Sequence, residues 1–542
     1  MRLLLLIITA LLALPVLGVL GAWGLMDAQA FSLLAHQWET VLPTYTLQSL
    51  QLVVGVGLGV ALLGGAAAAA VTLFEFPGRR FFEWALLLPL ALPAYVLAYA
   101  YTDALQFSGP IQAGLRSALG AQGALWPDVR SLGGATLLFI ISLYPYVYLL
   151  TRTALADHAG PVMEAARLLG APLRRRVLEV ALPMARPALA ASVALALMET
   201  LADYGVGSYF GLSTFTTGIY RAWLVMDDRI AAAQLASLLL IVVGVLLVLE
   251  QRAQSRLRFA STRAGVPGGL TAQPTPLSLM GKLMAWAVCG LPVLLGFVAP
   301  VLWLLRLLWL EAQASETPVF VPDYLARFGD WAWASFRLAG GAAVLAVVFA
   351  LALAFTLRRH AAKRGAPLLR GAARLVSLGY AIPGAVVAVG ILMITGVIQQ
   401  WAPQWGVPVL VTGTVFGLMY AYLVRFSAVA LQSVQAGYAK LPPSMDESAL
   451  LLGADAQRTF MEIHLPLLAR SGLAAALLVF VDAMKELPAT LVLRPFGSDT
   501  LAVVAYQFAR DERLAEAALP SLAIVAVGLI PVLMLSRALR KA

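Results

Sequence analysis

The sequence predicts an all-α integral membrane protein with about twelve transmembrane helices, and three observations support this. Of its 542 residues, 61% are hydrophobic and 12% are charged, with a mean hydropathy of +0.85. Soluble domains are only about half apolar and about a quarter charged. Apolar windows of about 20 residues, long enough to cross a bilayer as a helix, recur along the chain. Arginines and lysines cluster on alternate loops, as the positive-inside rule expects.

The predicted spans are about 3–25, 50–74, 84–104, 132–151, 187–206, 231–249, 284–308, 334–357, 376–398, 409–430, 473–491 and 518–536. The first span needs a check, because Ala28-Gln29-Ala30 resembles a signal-peptidase site. Its apolar run is longer than the roughly 7–15 residues of a signal-peptide core. We therefore expect an uncleaved first helix.

The net charge of +10 is compatible with nucleic-acid binding, but its placement favours cytoplasmic loops. Basic residues follow spans two, four, six and eight and close the chain. Both termini are therefore predicted to be cytoplasmic. A single cysteine, Cys289, lies in an apolar run, which excludes a disulfide framework and a thiolate metal site.

The chain also reads as two copies of one membrane unit joined by a linker. The segment 251–279 is rich in Arg, Ser, Thr, Gly and Pro, which is typical of a linker. We expect a first half at 1–250, with its core at about 44–250, and a second half at 280–542, with its core at about 330–542. The stretch around Pro93 is repeated around Pro383, and Arg80 corresponds to Arg370 at the same spacing of 290.

The strongest repeat is polar. "MEAARLLGAPLRRRVLEVALP" begins at Met163 and "MDESALLLGADAQRTFMEIHLP" begins at Met445, and one offset of 283 aligns their Glu, Gly and Pro residues. Each copy predicts a helix of about nine residues that ends at a glycine, the second capped by Ser444. A second short helix is then expected to stop at Leu-Pro, where the next span begins. The repeated helices suit docking into a groove of a partner, whereas one copy alone could be an ordinary amphipathic loop helix.

These stretches resemble the EAA loop of the permeases of ABC importers, in which the loop carries a coupling helix that seats in a separate ATPase subunit. The residues that match are Glu164, Ala165, Ala166, Gly170, Leu182 and Pro183, then Glu447, Ser448, Ala449, Gly453, Leu465 and Pro466. Ser448 departs from the motif by one small residue for another. The resemblance implies a permease core and a coupling helix in each half, and two copies of the ATPase as partners. No G-x-x-x-x-G-K-[ST] loop occurs, so we expect no catalysis and no cofactor in this chain, with ATP and magnesium held by the ATPase.

Beyond each loop lie two carboxylates with three residues between them, Glu199 with Asp203 and Asp482 with Glu486. At that spacing each pair is expected to share one helix face. Ionisable groups deep in a bilayer usually face a cavity or a partner, so the four could line a passage for a hard cation. The alternative is structural: Lys485 pairs with an acidic neighbour, and the first pair caps a broken helix. Lys485 is also the main objection to a cation passage. No stable metal site is expected.

The segments "ETLADYG" and "DAMKELPATL" are similar to those of fused ferric-iron permeases of the ABC class. This implies iron as the cargo, delivered by a periplasmic binding protein across a bacterial inner membrane. Fused thiamine and phosphonate-type permeases are the nearest alternatives. A secondary carrier would need neither docking loops nor an ATPase. A membrane-embedded enzyme is less favoured, because its best motif, Asp227-Asp228, lacks a second acidic cluster.

Overall fold

The computed structural model describes residues 2–25, 28–156, 160–263, 274–313, 321–360 and 366–541. The helices of the first part of the chain are α1 (Arg2–Gly21), α2 (Ala28–Thr40), α3 (Leu42–Leu73), α4 (Arg79–Ala85), α5 (Ala94–Leu105), α6 (Pro110–Leu119), α7 (Leu132–Ala154), α8 (Gly160–Leu168), α9 (Leu173–Arg175), α10 (Leu182–Ala202), α11 (Gly205–Tyr209), α12 (Phe215–Tyr220) and α13 (Arg229–Arg263). Those of the remainder are α14 (Leu279–Val293), α15 (Ala299–Gln313), α16 (Pro322–His360), α17 (Ala366–Leu378), α18 (Gly384–Trp401), α19 (Val407–Thr412), α20 (Phe416–Tyr438), α21 (Ser444–Leu451), α22 (Ala456–Arg458), α23 (Leu465–Met484), α24 (Pro488–Leu493), α25 (Leu501–Arg510) and α26 (Leu514–Lys541). Two short strands, β1 (Phe74–Glu75) and β2 (Thr275–Pro276), pair in parallel.

The fold class is confirmed. Within the described residues, ten helices are long and apolar enough to cross a membrane, and two bent helix pairs bring the number to twelve. The bent pairs coincide with the predicted third and tenth spans, and they turn by 90° and 66°. The protein is therefore a multi-pass membrane protein.

Proline explains where corresponding helices begin in the two copies. Pro93 precedes α5 and Pro383 precedes α18, and their backbone angles are nearly the same, with φ −59° and ψ 142° against φ −58° and ψ 139°. The residues before them, Leu92 and Ile382, are extended, as a following proline requires. The repeat seen in sequence around these two prolines is thus a repeat of local structure.

The chain divides into two compact units. Unit one comprises Met1–Ala35, Ile219–Leu240 and Pro322–Val504. In it, α1 packs along α17 and α18, and a Cβ added at Gly390 would collide with the carbonyl oxygen of Pro15. The Trp23 indole also donates a hydrogen bond to Ser237 at 2.9 Å. Helices of the first half thus pack against the core of the second, at an approach that only glycine permits.

Unit two comprises His36–Gly218, Ile241–Val321 and Ala505–Ala542. In this unit α3 packs along α7, and both contact α10. Helices of the second half complete it: the Trp303 indole donates to the Asp103 carboxylate at 2.8 Å, and α26 packs on the turn before α5. The two compact units therefore each draw on both halves of the sequence. The division into halves at 251–279, with 264–273 outside the described residues, stays a prediction about the sequence repeat.

Candidate functional site: the paired coupling loops and the acidic pairs

The two predicted coupling helices, α8 and α21, end in the same way. α8 has nine residues and α21 has eight. Gly170 and Gly453 follow them in the left-handed conformation, with φ +79° and +78°. This backbone favours glycine, because a Cβ would clash with the neighbouring carbonyl. The predicted helices and their glycine ends are confirmed. The prediction that Ser444 caps α21 is wrong, since Ser444 is its first residue and no side chain caps this helix.

The short helix after each glycine does not stop at Leu-Pro. In both copies it continues through a π-helical turn, Arg176–Ala181 or Thr459–His464, directly into the next span. Pro183 and Pro466 each sit in the first turn of that span. A proline lacks an N–H and crowds the preceding turn, and a π turn is one way for a helix to pass such a position. The predicted break is therefore wrong, and each loop is joined rigidly to the span that follows it.

Exposed apolar side chains are grouped at the end of both predicted coupling helices. Leu168 and Leu169 are 81% and 88% exposed at the end of α8. Leu450, Leu451 and Leu452 are 74% or more exposed at the end of α21. Large apolar side chains grouped on a surface mark a contact for another molecule. Glu447 is also exposed, whereas the side chain of Glu164 lies outside the described part of the structure. The role of both glutamates stays a prediction.

Within unit one, a cluster of polar side chains holds α21 in place. Arg358 Nε donates to Asp446 Oδ2 at 2.6 Å, and His464 Nε2 lies 2.7 Å from Asp446 Oδ1. The other Arg358 nitrogens donate to the carbonyls of Tyr438, Leu441 and Pro442, which lead into the loop. Partial burial acts to raise the pKa of Asp446, but the hydrogen bonds and charges of its two partners outweigh this and lower that pKa. We call Arg358, Tyr438, Asp446 and His464 the polar anchor.

The corresponding residues of the first copy are apolar. The offset of 283 places Leu155 on Tyr438, Met163 on Asp446 and Ala181 on His464. All three are buried, at 3%, 6% and 1% exposure, in one hydrophobic cluster with residues of α3 and α4. We call Leu155, Met163 and Ala181 the apolar anchor. The two loops therefore share a backbone but are held by different forces.

The acidic pairs lie at helix breaks, and the prediction that each pair shares one helix face is wrong. α10 ends at Ala202 and α23 ends at Met484, so the second carboxylate of each pair lies beyond the helix. Asp203 accepts a hydrogen bond from the N–H of Val206 at 2.8 Å, and Glu486 accepts from the N–H of Ala489 at 2.9 Å. Each carboxylate thus caps the short helix that follows, which the structural alternative expected for the first pair only.

In unit one, both acidic side chains have a cation. Lys485 Nζ lies 2.9 Å from Asp482 Oδ1, and Arg425 Nη1 donates to Glu486 Oε1 at 3.0 Å. The Glu486 side chain is only 1% exposed, and a Cβ on Gly384 would lie 2.6 Å from its Oε1. Arg425 was missed at the sequence level, although an arginine inside a predicted span was a signal for such a pair. Whether these acids line a passage stays a prediction.

In unit two, the carboxylates have no such partner within the described chain. Glu199 is half-buried, and neither it nor Asp203 forms an ion pair among the described residues. Asp203 also lines a water-sized cavity together with Ser49, Thr200, Thr214 and Thr216. Among the residues that the structure describes, no group of three or more His, Cys, Asp or Glu side chains could hold a metal ion. The two halves thus differ in whether the carboxylates at the helix break are paired with a cation in the described structure.

Comparison with known proteins agrees with the resemblance drawn from the loops. Residues 60–258 match the family described as binding-protein-dependent transport system inner membrane component. This segment contains the first coupling loop and the first acidic pair. This segment of the chain is therefore similar to the inner membrane components of binding-protein-dependent transport systems.

Its relatives extend the likeness to nearly the whole chain. It is 25% identical over 487 residues to the Fe(3+)-transport system permease protein FbpB 2 of Haemophilus influenzae, covering 90% of this chain and 88% of that relative. It is 25% identical to the ferric transport system permease protein FbpB of Actinobacillus pleuropneumoniae, over 79% of this chain and 61% of that relative. A putative 2-aminoethylphosphonate transport system permease protein PhnU of Salmonella typhi is 26% identical over 41% of this chain and 75% of its own length.

Proposed function

We propose that this chain forms the membrane passage of an importer, with both termini in the cytoplasm of a bacterium and each coupling loop seated on one copy of a separate ATPase. The observation that carries the proposal is the matched pair of loops, whose glycine ends and π turns repeat at one offset. A soluble partner with two equal clefts would receive two such helices. The exposed leucines at the end of each helix supply the apolar contact that seats them.

In this proposal, ATP binding closes the two ATPase subunits and moves the coupling helices together. Because each loop continues through a π turn into a spanning helix, its displacement is transmitted to the membrane core. The passage then opens towards an extracytoplasmic binding protein, which releases its cargo, and hydrolysis restores the inward-facing state. The chain itself contributes no chemical step.

We propose ferric iron as the cargo. Two lines of support are the similarity of most of the chain to ferric permeases and the carboxylates of unit two, which lack a cation within the described structure. A phosphonate is the second candidate, because of the likeness to the Salmonella permease. It is an anion, however, and uncompensated carboxylates would repel it. The charge at the break therefore favours a cation over a phosphonate.

The test is uptake into proteoliposomes that contain the chain, its ATPase and the cognate binding protein. We expect ATP-dependent uptake of radioactive Fe³⁺ and no uptake of 2-aminoethylphosphonate. Leu169→Asp with Leu452→Asp should abolish uptake and ATPase association, because a charge cannot enter an apolar cleft. The matched control is Glu179→Gln with Glu462→Gln, which alters exposed ion pairs at corresponding positions of the same loops. ATPase binding that survives the aspartate substitutions would refute the docking role, and phosphonate uptake would refute the cargo.

A further inference from the structure

The two helix breaks carry corresponding carboxylates but differ in their charge balance. The offset of 283 places Ala202 on Lys485 and Ser142 on Arg425, so both cations of the second break are replaced by uncharged residues in the first. The carboxylates of Glu199 and Asp203 therefore lie near one another without a counter-ion in the described structure, and each acts electrostatically on the other. Two carboxylates in this arrangement are stabilised by a cation from outside.

Phenols and a hydroxyl surround the same break in unit two. The Tyr506 hydroxyl lies 2.8 Å from Ser208 Oγ and 3.5 Å from the Tyr204 hydroxyl. The rings of Tyr204 and Tyr506 are 5.8 Å apart. Tyr204 directly follows Asp203, and Ser208 lies in α11, whose Val206 N–H donates to the Asp203 carboxylate. Oxygen donors of this kind are the ligands that hard cations prefer.

A buried phenol without a partner in the described structure points into the cluster. Tyr99 is 2% exposed, and its hydroxyl has no hydrogen-bond partner among the described residues. Its ring contacts that of Tyr209 edge-on at 4.8 Å, and its hydroxyl lies within electrostatic range of Asp203 and Tyr506. A buried hydroxyl without a hydrogen-bond partner is unfavourable, and a bound ligand would satisfy it.

Two arginines face the edge of this cluster. Arg130 donates to the Tyr209 hydroxyl at 3.1 Å and lies 3.7 Å from a carboxylate oxygen of Glu512, which compensates its charge. Arg510 acts on the Tyr506 phenol electrostatically. Neither forms an ion pair with Glu199 or Asp203 in the described structure. The carboxylate side of the cluster therefore keeps its negative charge.

We propose that Glu199, Asp203, Tyr99, Tyr204, Ser208 and Tyr506 form a transit site for a hard multivalent cation, and that the second break has no counterpart. The inference rests on the proposed function, because it specifies where the cargo meets the passage. Asp482 and Glu486 are then structural acids, closed by Lys485 and Arg425. With only two carboxylates, the site binds weakly enough to release its ion, as a passage requires.

The experiment uses Tb³⁺, a hard trivalent ion whose luminescence is sensitised by nearby tyrosine rings, with the purified full chain in detergent. Asp203→Asn combined with Glu199→Gln removes both charges, while the new amide at position 203 keeps an oxygen that can accept the Val206 N–H. We expect the Tb³⁺ affinity to fall at least about tenfold, since ligand charge count sets the affinity of such sites. Tyr506→Phe should lower the sensitised emission. Asp482→Asn should change the affinity by less than about twofold, since the proposal leaves that acid outside the site.

Fe³⁺ uptake by the same variants separates this inference from the proposed cargo. The site is supported if Asp203→Asn combined with Glu199→Gln loses both Tb³⁺ binding and Fe³⁺ uptake, whereas Asp482→Asn keeps both. Normal Tb³⁺ binding in that double variant would overturn the site while leaving iron transport standing. Site-dependent Tb³⁺ binding in a transporter that does not carry iron would support the cation site and refute only the iron cargo. Equal losses from the two breaks would overturn the asymmetry.

Discussion

The loop of the first half and the loop of the second have the same backbone but differ in the side chains that hold them. In unit two, Leu155, Met163 and Ala181 secure α8 by hydrophobic burial. In unit one, the corresponding positions carry Tyr438, Asp446 and His464, and Arg358 completes the polar anchor. Burial is non-directional, whereas charged hydrogen bonds depend on geometry and protonation. The duplicated loops thus keep a similar backbone through unlike interactions.

The same contrast recurs at the helix breaks. The second half closes its carboxylates with Lys485 and Arg425, whereas Glu199 and Asp203 of the first half have no compensating cation within the described chain. In the second half, polar pairs therefore stabilise both the loop and the helix break. In the first half, apolar packing stabilises the loop, and the carboxylates at the helix break have no compensating cation within the described structure.

Glu486→Gln should destabilise the protein most. It leaves Arg425 buried without its carboxylate, and breaking a buried pair costs about 3–5 kcal/mol. The corresponding Asp203→Asn breaks no ion pair of the described structure and should cost less than about 1 kcal/mol. Thermal unfolding of the purified chain in detergent measures both. Adding Arg425→Met to Glu486→Gln should recover much of the loss, and equal shifts for the two single variants would contradict the contrast.

Met163→Ala should loosen the apolar anchor by about 2–5 kcal/mol, because it removes a buried side chain and leaves a cavity. Hydrogen exchange followed by mass spectrometry should show faster exchange in α8 and no change in α21. The exposed Leu168→Ala serves as the control, since it removes no buried contact. Faster exchange in both helices would show that the anchors are not independent.

Asp446→Asn should loosen the polar anchor by about 1.5–3 kcal/mol, the range for hydrogen bonds to charged groups. Exchange should then rise in α21 and not in α8, the reverse of the Met163 result. Glu447→Gln, on the adjacent exposed residue, is the matched control for removal of one charge. Unchanged exchange in α21 of the Asp446 variant would mean that the polar anchor does not hold the loop.

Acid should weaken only the second loop. Because the pKa of Asp446 is lowered in the folded protein, its contribution is fully present above the ordinary aspartate pKa of about 3.9 and is lost as pH falls through the lowered value. Exchange of α21, measured relative to α8 and corrected for intrinsic rates, should therefore rise only in this acid range. Asp446→Asn should remove this pH dependence, and its persistence would assign the effect to other groups.

The sequence predicts those features of the structure that depend on local chemistry, namely the helix ends and the membrane spans. Gly170 and Gly453 were found because a helix end favours glycine, and the spans were found because their apolar length matches a bilayer. The pairing of Arg425 with Glu486, 61 residues apart, and the packing of Pro15 on Gly390 depend on which helices become neighbours. No periodicity in one helix encodes that choice. The sequence does not reveal the π turns, because Leu-Pro predicts a helix break, whereas the helix continues through it.

The most direct test of the central claim, that both loops dock an ATPase, is site-directed cross-linking. The chain's single cysteine, Cys289, is buried, so Leu169→Cys and Leu452→Cys supply the exposed thiols. With a bifunctional maleimide in membranes that contain the co-expressed ATPase, each position should give a covalent adduct of chain and ATPase, and the double variant should capture two copies. Leu62→Cys, exposed on α3 within a predicted span, should give none. Active transport without an adduct at either loop position would contradict the account.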